Sequence, residues 1–350
     1  MQKIVADVER PNRFYATTNN TATGGGFIFI SEDGGQTWKP ATKNLSVIRV
    51  KAFSILQDKQ TPNTIYIGTN MGIYRSLDRG VSWSPIAVAK PTPAPNKAVN
   101  GKTPAKPTTI ATAKKVPALK DSVRALTYTN DGKNGILAAT DKGLYRTYNI
   151  AQGWEKLSFG AGIDEQVFAV HIPTAQPTTI WAGTVRSGVI VSNDNGLTWK
   201  NIADIPSGVP ISAIETDPTN ASRIYVGTSQ TFYISKDGGA TFLRRGGSLP
   251  IGNFNSILIN PNNTSEVFVA SSMDVRGGIY YSPDFGQTWK QLDTKDITLP
   301  TRRVWTMTFD SKNTNRILIG THSAGIYRIE RMTEETANGT RPRVANNENK

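Results

Sequence analysis

Short apolar segments separated by turn-forming residues recur along the whole chain. Residues 65–76 contain a strand, a polar turn with glycine and a second strand of alternating character, a pattern that predicts a β-hairpin. Six further segments share this pattern, namely 14–31, 136–147, 180–192, 224–235, 267–282 and 317–329. Seven related hairpins in succession predict a repeat architecture.

Another short apolar segment lies upstream of six of these hairpins, and its third residue is always alanine, serine or threonine. The six segments are 50–53, 123–126, 167–170, 211–214, 254–257 and 304–307. A small third residue suits an innermost strand, where sheets arranged around an axis crowd together. We therefore expect each repeat to consist of an inner strand followed by a hairpin.

The most specific motif follows the hairpins and reads Ser-x-Asp-x-Gly-x-Thr/Ser-Trp/Phe. Five copies occupy 31–38, 76–83, 192–199, 235–242 and 282–289, and a decayed copy occupies 147–154. An aspartate can accept amide hydrogens of its own turn, and glycine can adopt the positive φ that a tight turn needs. The residues assigned to this structural role are Asp33, Asp78, Asp194, Asp237 and Asp284, with Trp38, Trp83, Trp199 and Trp289.

This motif is the Asp box of BNR-repeat β-propellers, a superfamily that the chain resembles along almost its full length. The repeats are most similar to those of sortilin-type (VPS10), Ycf48-like, and sialidase- or xyloglucanase-like propellers. The resemblance implies an all-β, seven-bladed β-propeller over residues 1–330. It also implies that the boxes lie on the face remote from any catalytic centre.

The two ends of the propeller and one insertion depart from the regular repeat. The box positions are 43 to 47 residues apart except for one interval of 71, which predicts a disordered insertion at about 86–120. The seventh repeat lacks an Asp box, so we expect its outer strand to be missing and residues 331–350 to form a flexible tail. We expect a closing strand, together with an export signal or membrane tether, in sequence before Met1. In the alternative, residues 331–337 provide the strand that closes the ring.

The net charge of +13 is concentrated in the insertion, which has seven lysines and no acidic residue. The propeller repeats are therefore only mildly basic, and no specific nucleic-acid binding is expected. The absence of cysteine excludes disulfides and thiolate chemistry. No cofactor or metal is expected.

The candidate ligand residues are cationic and fall on the face opposite the Asp boxes. They are Arg124, Arg186, Arg276, Arg302, Arg303 and His322, with Lys102 and Lys106 of the insertion. We expect this face to bind a protein, an anionic glycan or an anionic envelope surface. His171, on an inner strand, is interpreted as structural.

Glycoside hydrolysis is the alternative that the resemblance leaves open. Sialidases have six blades and an Arg-Ile-Pro motif, and this chain has neither. Xyloglucanases place paired carboxylates between two propellers, and the candidate acids here are Asp141, Asp164, Glu165, Asp274 and Asp296. The favoured expectation is a non-catalytic, extracytoplasmic interaction or assembly scaffold of the Ycf48-like or sortilin-like type.

Overall fold

Tight turns after every short strand fold the chain into seven antiparallel sheets, so the predicted all-β, seven-bladed propeller is confirmed. The computed structural model describes residues 1–19, 24–86, 115–244, 249–292 and 299–331. Each sheet is one blade, and its strands follow one another from the axis outward, except for one additional outermost strand in blade 3 that precedes the others in the chain. In the part of the chain that is described, no helix is long and apolar enough to cross a membrane.

The first three blades contain thirteen strands. Blade 1 consists of β1 (Lys3–Ala6), β2 (Phe14–Thr17), β3 (Ile28–Ser31) and β4 (Lys39–Pro40). Blade 2 consists of β5 (Ala52–Gln57), β6 (Ile65–Thr69), β7 (Gly72–Ser76) and β8 (Ser84–Pro85). Blade 3 consists of β9 (Lys115–Val116), β10 (Val123–Tyr128), β11 (Ile136–Thr140), β12 (Gly143–Thr147) and β13 (Trp154–Leu157).

The last four blades contain fifteen strands. Blade 4 has β14 (Val167–His171), β15 (Ile180–Thr184), β16 (Val189–Ser192) and β17 (Lys200–Asn201). Blade 5 has β18 (Ile211–Asp217), β19 (Asn220–Thr228), β20 (Phe232–Ser235) and β21 (Leu243–Arg244). Blade 6 has β22 (Phe254–Ile259), β23 (Val267–Ser271), β24 (Gly278–Ser282) and β25 (Lys290–Gln291). Blade 7 has β26 (Val304–Phe309), β27 (Arg316–Thr321) and β28 (Ile326–Glu330).

The meander gives the disk two different faces. Turns between the first and second strands of a blade, and between the third and fourth, lie on the side that carries the boxes, here called the Asp-box face. Turns between the second and third strands, and the connections to the next blade, lie on the other side, here called the loop face. Seven clusters of buried apolar side chains fill the seven blade interfaces, so the core is distributed around the ring.

The inner strand of blade 2 begins two residues later than the sequence alignment placed it. Ser54 pairs with Gly68 of β6, as Ala125 pairs with Ala139 of β11 in blade 3. The small third residue is therefore Ser54 and not Ala52. A shift of two residues keeps the same side chains on the same face of a strand, so the polarity pattern could not reveal it.

The box carboxylates hold their own turns. Asp194 accepts hydrogen bonds from the amides of Leu197 and Thr198 at 3.1 and 2.9 Å, and Ser192 Oγ accepts one from the amide of Gly196 at 2.8 Å. Bonds from the Thr198 side chain and backbone lower the pKa of Asp194 to about 2. The same bonding recurs around Asp33, Asp78, Asp237 and Asp284. Among the tryptophans that end these boxes, Trp83 and Trp289 are buried, whereas Trp38 and Trp199 are only half-buried.

Blade 7 has three strands, as the missing box of the seventh repeat predicted, and it meets blade 1 directly. The amide of Ile4 donates to Thr306 Oγ1 at 3.3 Å, and the Met1 ammonium donates to the carbonyl of Thr321 at 3.0 Å. Ile4 and Leu318 are both buried in the apolar cluster at this interface. The seventh interface is therefore closed by side-chain packing and polar contacts between the two blades.

The last residues of the segment expected to be disordered, 86–120, are part of the folded blade. The backbone of Lys115–Val116 pairs with β13 as a fifth, outermost strand of blade 3. Leu119 is buried in the apolar cluster between blades 2 and 3, which anchors the return to the inner strand. Residues 87–114, including Lys102 and Lys106, and the predicted tail from 332 onward lie outside the described residues.

Candidate functional site on the loop face

The inner strands line a central channel of about 470 Å3. The second residue of each inner strand stands near the loop-face end of this channel in blades 2 to 7. These residues are Phe53, Arg124, Phe168, Ser212, Asn255 and Trp305. Their chemistry differs from blade to blade, so the mouth of the channel is aromatic and cationic on one side and polar on the other.

Arg124 is fixed between two aromatic rings. Its guanidinium carbon lies 4.5 Å from the centre of the Phe53 ring and 5.3 Å from that of Phe168. Its Nε and Nη2 donate to the two oxygens of Asp141 at 2.8 and 3.0 Å. Burial raises the pKa of Asp141, but the bonds from Arg124 outweigh it and hold the pKa below its usual value. Arg124 is therefore a neutralised part of a rigid platform and not a free clamp for an anion.

A second group of candidates meets at blades 6 and 7. Arg303 Nε lies 3.2 Å from Asp274 Oδ1, and the carbonyl of Arg303 accepts the amide of His322 at 2.9 Å. The His322 ring stacks on Trp305 with 6.0 Å between ring centres. Burial, Arg303 and the N-terminal ammonium lower the pKa of His322, so its imidazole is neutral at pH 7.

The other three arginines are exposed on loop-face connections. Arg276 and Arg302 belong to adjacent loops, because Gly277 packs against the carbonyl of Arg302. Arg186 lies on blade 4, where its amide donates to Asp164 Oδ2 at 2.9 Å. The structure thus gathers Arg276, Arg302, Arg303 and His322 on blades 6 and 7, and leaves Arg124 and Arg186 on blades 3 and 4.

The carboxylates considered for hydrolysis already have partners. Asp141 binds Arg124 and Asp274 pairs with Arg303. Both oxygens of Glu165 accept bonds from Lys156 Nζ at 2.7 and 2.8 Å. Asp164 accepts hydrogen bonds from the amides of Gln166 in its own loop and of Arg186 in the β15–β16 turn, and Asp296 lies outside the described residues. These four described acids therefore serve local ion pairs and caps, which is a poor arrangement for general acid and base catalysis.

Inside the channel, a smaller polar group joins blades 1, 4 and 5. His171 Nδ1 lies 3.3 Å from Glu215 Oε2, and its Nε2 lies 2.7 Å from Thr216 Oγ1. Burial within the channel lowers the pKa of Lys3, and the negative charge of Glu215 opposes that shift. His171 is thus held by the neighbouring inner strand β18. Within the described ranges, no three histidine, aspartate or glutamate side chains are grouped as a metal site would require.

Sequence reasoning missed a cluster of exposed apolar side chains on the loop face of blade 6. Ile251, Met273 and Val275 are 70%, 40% and 75% exposed. Their two loops are adjacent, since the amide of Ser272 donates to the carbonyl of Asn253 at 3.0 Å. The only signal in the sequence was the presence of large apolar residues in turns, where polar residues are the norm. The cluster lies next to the exposed Arg276.

Comparisons with known proteins agree with the fold. A family model described as sortilin, neurotensin receptor 3 matches residues 187–323, and one described as the BNR/Asp-box repeat matches residues 29–40. A xyloglucanase of Hypocrea jecorina (strain QM6a) is 31% identical over 117 residues, which is 33% of this chain. The chain spans only 13% of the length of that enzyme.

Solved propellers superpose on most of the chain at low sequence identity. The GH74 xyloglucanase from Xanthomonas campestris has a TM-score of 0.70 and 16% identity, covering 93% of this chain and 51% of its own. A structure of YCF48 bound to D1 peptide has a TM-score of 0.61 and 17% identity, covering 95% of this chain and 93% of its own. At these identities the likeness establishes the fold alone.

Proposed function

We propose that this BNR-repeat β-propeller is a non-catalytic interaction or assembly scaffold that binds a protein partner through its loop face. The observation that carries the proposal is the exposed apolar cluster of Ile251, Met273 and Val275 beside exposed arginines. Clustered apolar side chains on a soluble surface mark interaction sites, and arginine is enriched at such interfaces. A partner segment with apolar and acidic side chains fits this chemistry.

The rigid scaffold supports this proposal in a second way. Loops held by a stiff fold can present a fixed surface without a large ordering cost on binding. The guanidinium of Arg124, held between Phe53 and Phe168, adds a pre-formed aromatic platform on the same face. YCF48, which has the same fold, is described as bound to a peptide of D1.

Carbohydrate hydrolysis remains the second candidate because of the local similarity to a xyloglucanase. The ion-paired state of Asp141, Glu165 and Asp274 argues against it. We further propose an extracytoplasmic location, which is supported by the similarity to sortilin over residues 187–323. Six Asn-x-Ser/Thr sequences are compatible with that location.

The decisive experiment compares two equally exposed apolar residues on opposite faces. Partners are identified by cross-linking in native cell-envelope extract, and their affinity is measured for the parent chain, Val275→Asp and Leu197→Asp. Val275 lies on the loop face at 75% exposure, and Leu197 lies in an Asp-box turn at 78% exposure. Xyloglucan and sialoside hydrolysis are assayed on the same preparations.

A loss of about tenfold or more with Val275→Asp alone would support the proposal, since a tenfold change corresponds to about 1.4 kcal/mol. Equal effects of the two substitutions would contradict a loop-face interface. Turnover of a glycan by the parent chain would replace the scaffold proposal with the hydrolase.

A further inference from the structure

Several blades use a polar side chain to bind the box turn of the next blade. Arg146 of β12 donates to the carbonyl of Asn195 at 2.7 Å, and Arg13 donates to the carbonyl of Arg79 at 3.1 Å. Both carbonyls belong to the residue between the aspartate and the glycine of a box. This contact closes the outer part of the blade interface on the Asp-box face.

Arg146 also has a carboxylate partner within its own blade. Its Nε and Nη2 bond Glu155 Oε2 at 3.3 and 3.0 Å, and Glu155 faces Arg146 on the neighbouring strand β13. Together, the carboxylate and the carbonyl satisfy the three nitrogens of the guanidinium.

Arg75 of blade 2 stands at the same ladder position as Arg146, but among the described residues it has neither a carboxylate partner nor a box carbonyl. Its neighbour on β8 is Ser84, where blade 3 has Glu155. The box that should supply the carbonyl is the decayed copy, in which residues Ile150–Gln152 form a short 3-10 helix. The carbonyl of Ile150 is occupied there by the amide of Gly153 at 3.2 Å.

One difference between this turn and the intact boxes is a missing glycine. Intact box glycines have φ near +85° and pack against a large side chain of the preceding blade, as Gly80 does against Tyr15. The decayed box has Ala151 at this position, and alanine does not readily adopt such a φ. The turn therefore folds differently and leaves space above Tyr66, which is the counterpart of Tyr15.

That space is a cavity of about 440 Å3 between blades 2 and 3, open on the Asp-box side. Arg75, Tyr66 and Tyr128 line it, with Pro85 and Ile150 among its apolar walls. Within the described part of the chain, Arg75 Nε and the Tyr128 hydroxyl are both buried without a hydrogen-bond partner. Unpaired buried donors are costly, so groups of this kind are usually satisfied by a ligand or by water.

We propose that this cavity is a binding site for a carboxylate, which takes the place that Glu155 occupies beside Arg146 in blade 3. Arginine and carboxylate form strong, charge-assisted hydrogen bonds, and the tyrosine hydroxyl supplies a further donor. Asp58 also lines the cavity, so a ligand that carries an ammonium or hydroxyl group beside its carboxylate fits better than a simple polyanion. The carboxylate can belong to a free small molecule or to a glutamate of a protein segment.

In the test, the full chain is titrated with succinate, with free glutamate and with a short peptide containing one glutamate, and the heat of binding is measured by calorimetry. Succinamide, which has the same size without charge, is the ligand control. Arg75→Gln removes the proposed cation, and Arg146→Gln is the matched protein control because that arginine already has its carboxylate. Ser84→Glu places a carboxylate opposite Arg75 and reproduces the Arg146–Glu155 pair.

We expect binding of at least one carboxylate, weakened about tenfold or more by Arg75→Gln, as for the loss of a hydrogen bond to a charged group. Ser84→Glu should abolish binding and raise the midpoint of urea unfolding, whereas Arg146→Gln should leave binding unchanged. Binding of succinate or glutamate would identify a small-molecule site, and binding of the peptide alone would identify a protein segment. No binding by the parent chain, or binding that Ser84→Glu and Arg75→Gln leave intact, would overturn the proposal.

Discussion

The box glycines provide a direct test of how neighbouring blades are held together. Gly238 and Gly239 are consecutive residues of one box turn, with φ of 72° and 86°. A Cβ on Gly238 would meet nothing within 4 Å, whereas a Cβ on Gly239 would lie 2.3 Å from Cη2 of Trp181 in the preceding blade. Alanine substitutions at these two glycines therefore separate the free-energy cost of the turn conformation from that of crowding the neighbouring blade.

The magnitudes follow from these two geometries. Alanine in the left-handed region costs about 1–2 kcal/mol, and both substitutions incur this cost. Gly239→Ala must also displace Trp181, a buried ring packed edge-on against Phe242 at 6.1 Å. Overpacking of this kind costs about 1–3 kcal/mol more. We thus expect Gly238→Ala to lose about 1–2 kcal/mol and Gly239→Ala about 2–5 kcal/mol.

Urea unfolding followed by far-UV circular dichroism and by tryptophan fluorescence measures both losses. The two probes must give coincident transitions before free energies of unfolding are compared, because a seven-bladed propeller can unfold in stages. Equal losses for the two variants would refute the reasoning. The box glycine would then be required by its own turn alone, and the contact with Trp181 would contribute nothing to stability.

Two further predictions concern charge. The Asp194, Asp237 and Asp284 carboxyls have a pKa of about 2 in the fold against 3.8 as the reference value. The unfolded chain therefore takes up more protons as the pH falls, so the urea midpoint should decrease between roughly pH 5 and pH 2, and Asp237→Asn should flatten that decrease. Asp7 is fully buried with Tyr15 and Arg79, so Asp7→Ala should cost about 3–5 kcal/mol in urea unfolding. Asp310→Ala is the control. It should lower the free energy of unfolding by less, because Arg316, the partner of Asp310, keeps its ion pair with Glu330. Equal losses for the two variants would contradict this account.

The enzymatic alternative is weakened by geometry more than by composition. The chain has enough acidic residues on the loop face to form a catalytic pair. However, Asp141, Glu165 and Asp274 each lie against a cation. The bonds from Arg124 hold the pKa of Asp141 below its usual value, whereas an acid catalyst needs a pKa raised towards neutrality. A binding interface on the loop face needs no carboxylate with a raised pKa.

The sequence alone determined the number and order of the blades, because each repeat contains its own local signals. The strand period, the positive-φ glycines and the self-bonded aspartates all act within a few residues, and so they are readable without the fold. Register was less secure, as the two-residue shift at Ser54 demonstrates, because a strand repeats its facing pattern every two residues.

The tertiary structure decided which polar groups meet. The sequence predicted Arg124 and Arg303 as loop-face residues, but only the packing of blades brought Arg124 between Phe53 and Phe168 and set Arg303 beside Asp274. The sequence could not reveal that Arg75 Nε has no hydrogen-bond partner among the described residues, since this depends on a turn in the next blade. Spacing along a chain fixes local conformation, whereas the partners of a side chain across a blade interface depend on distances that only the closed ring sets.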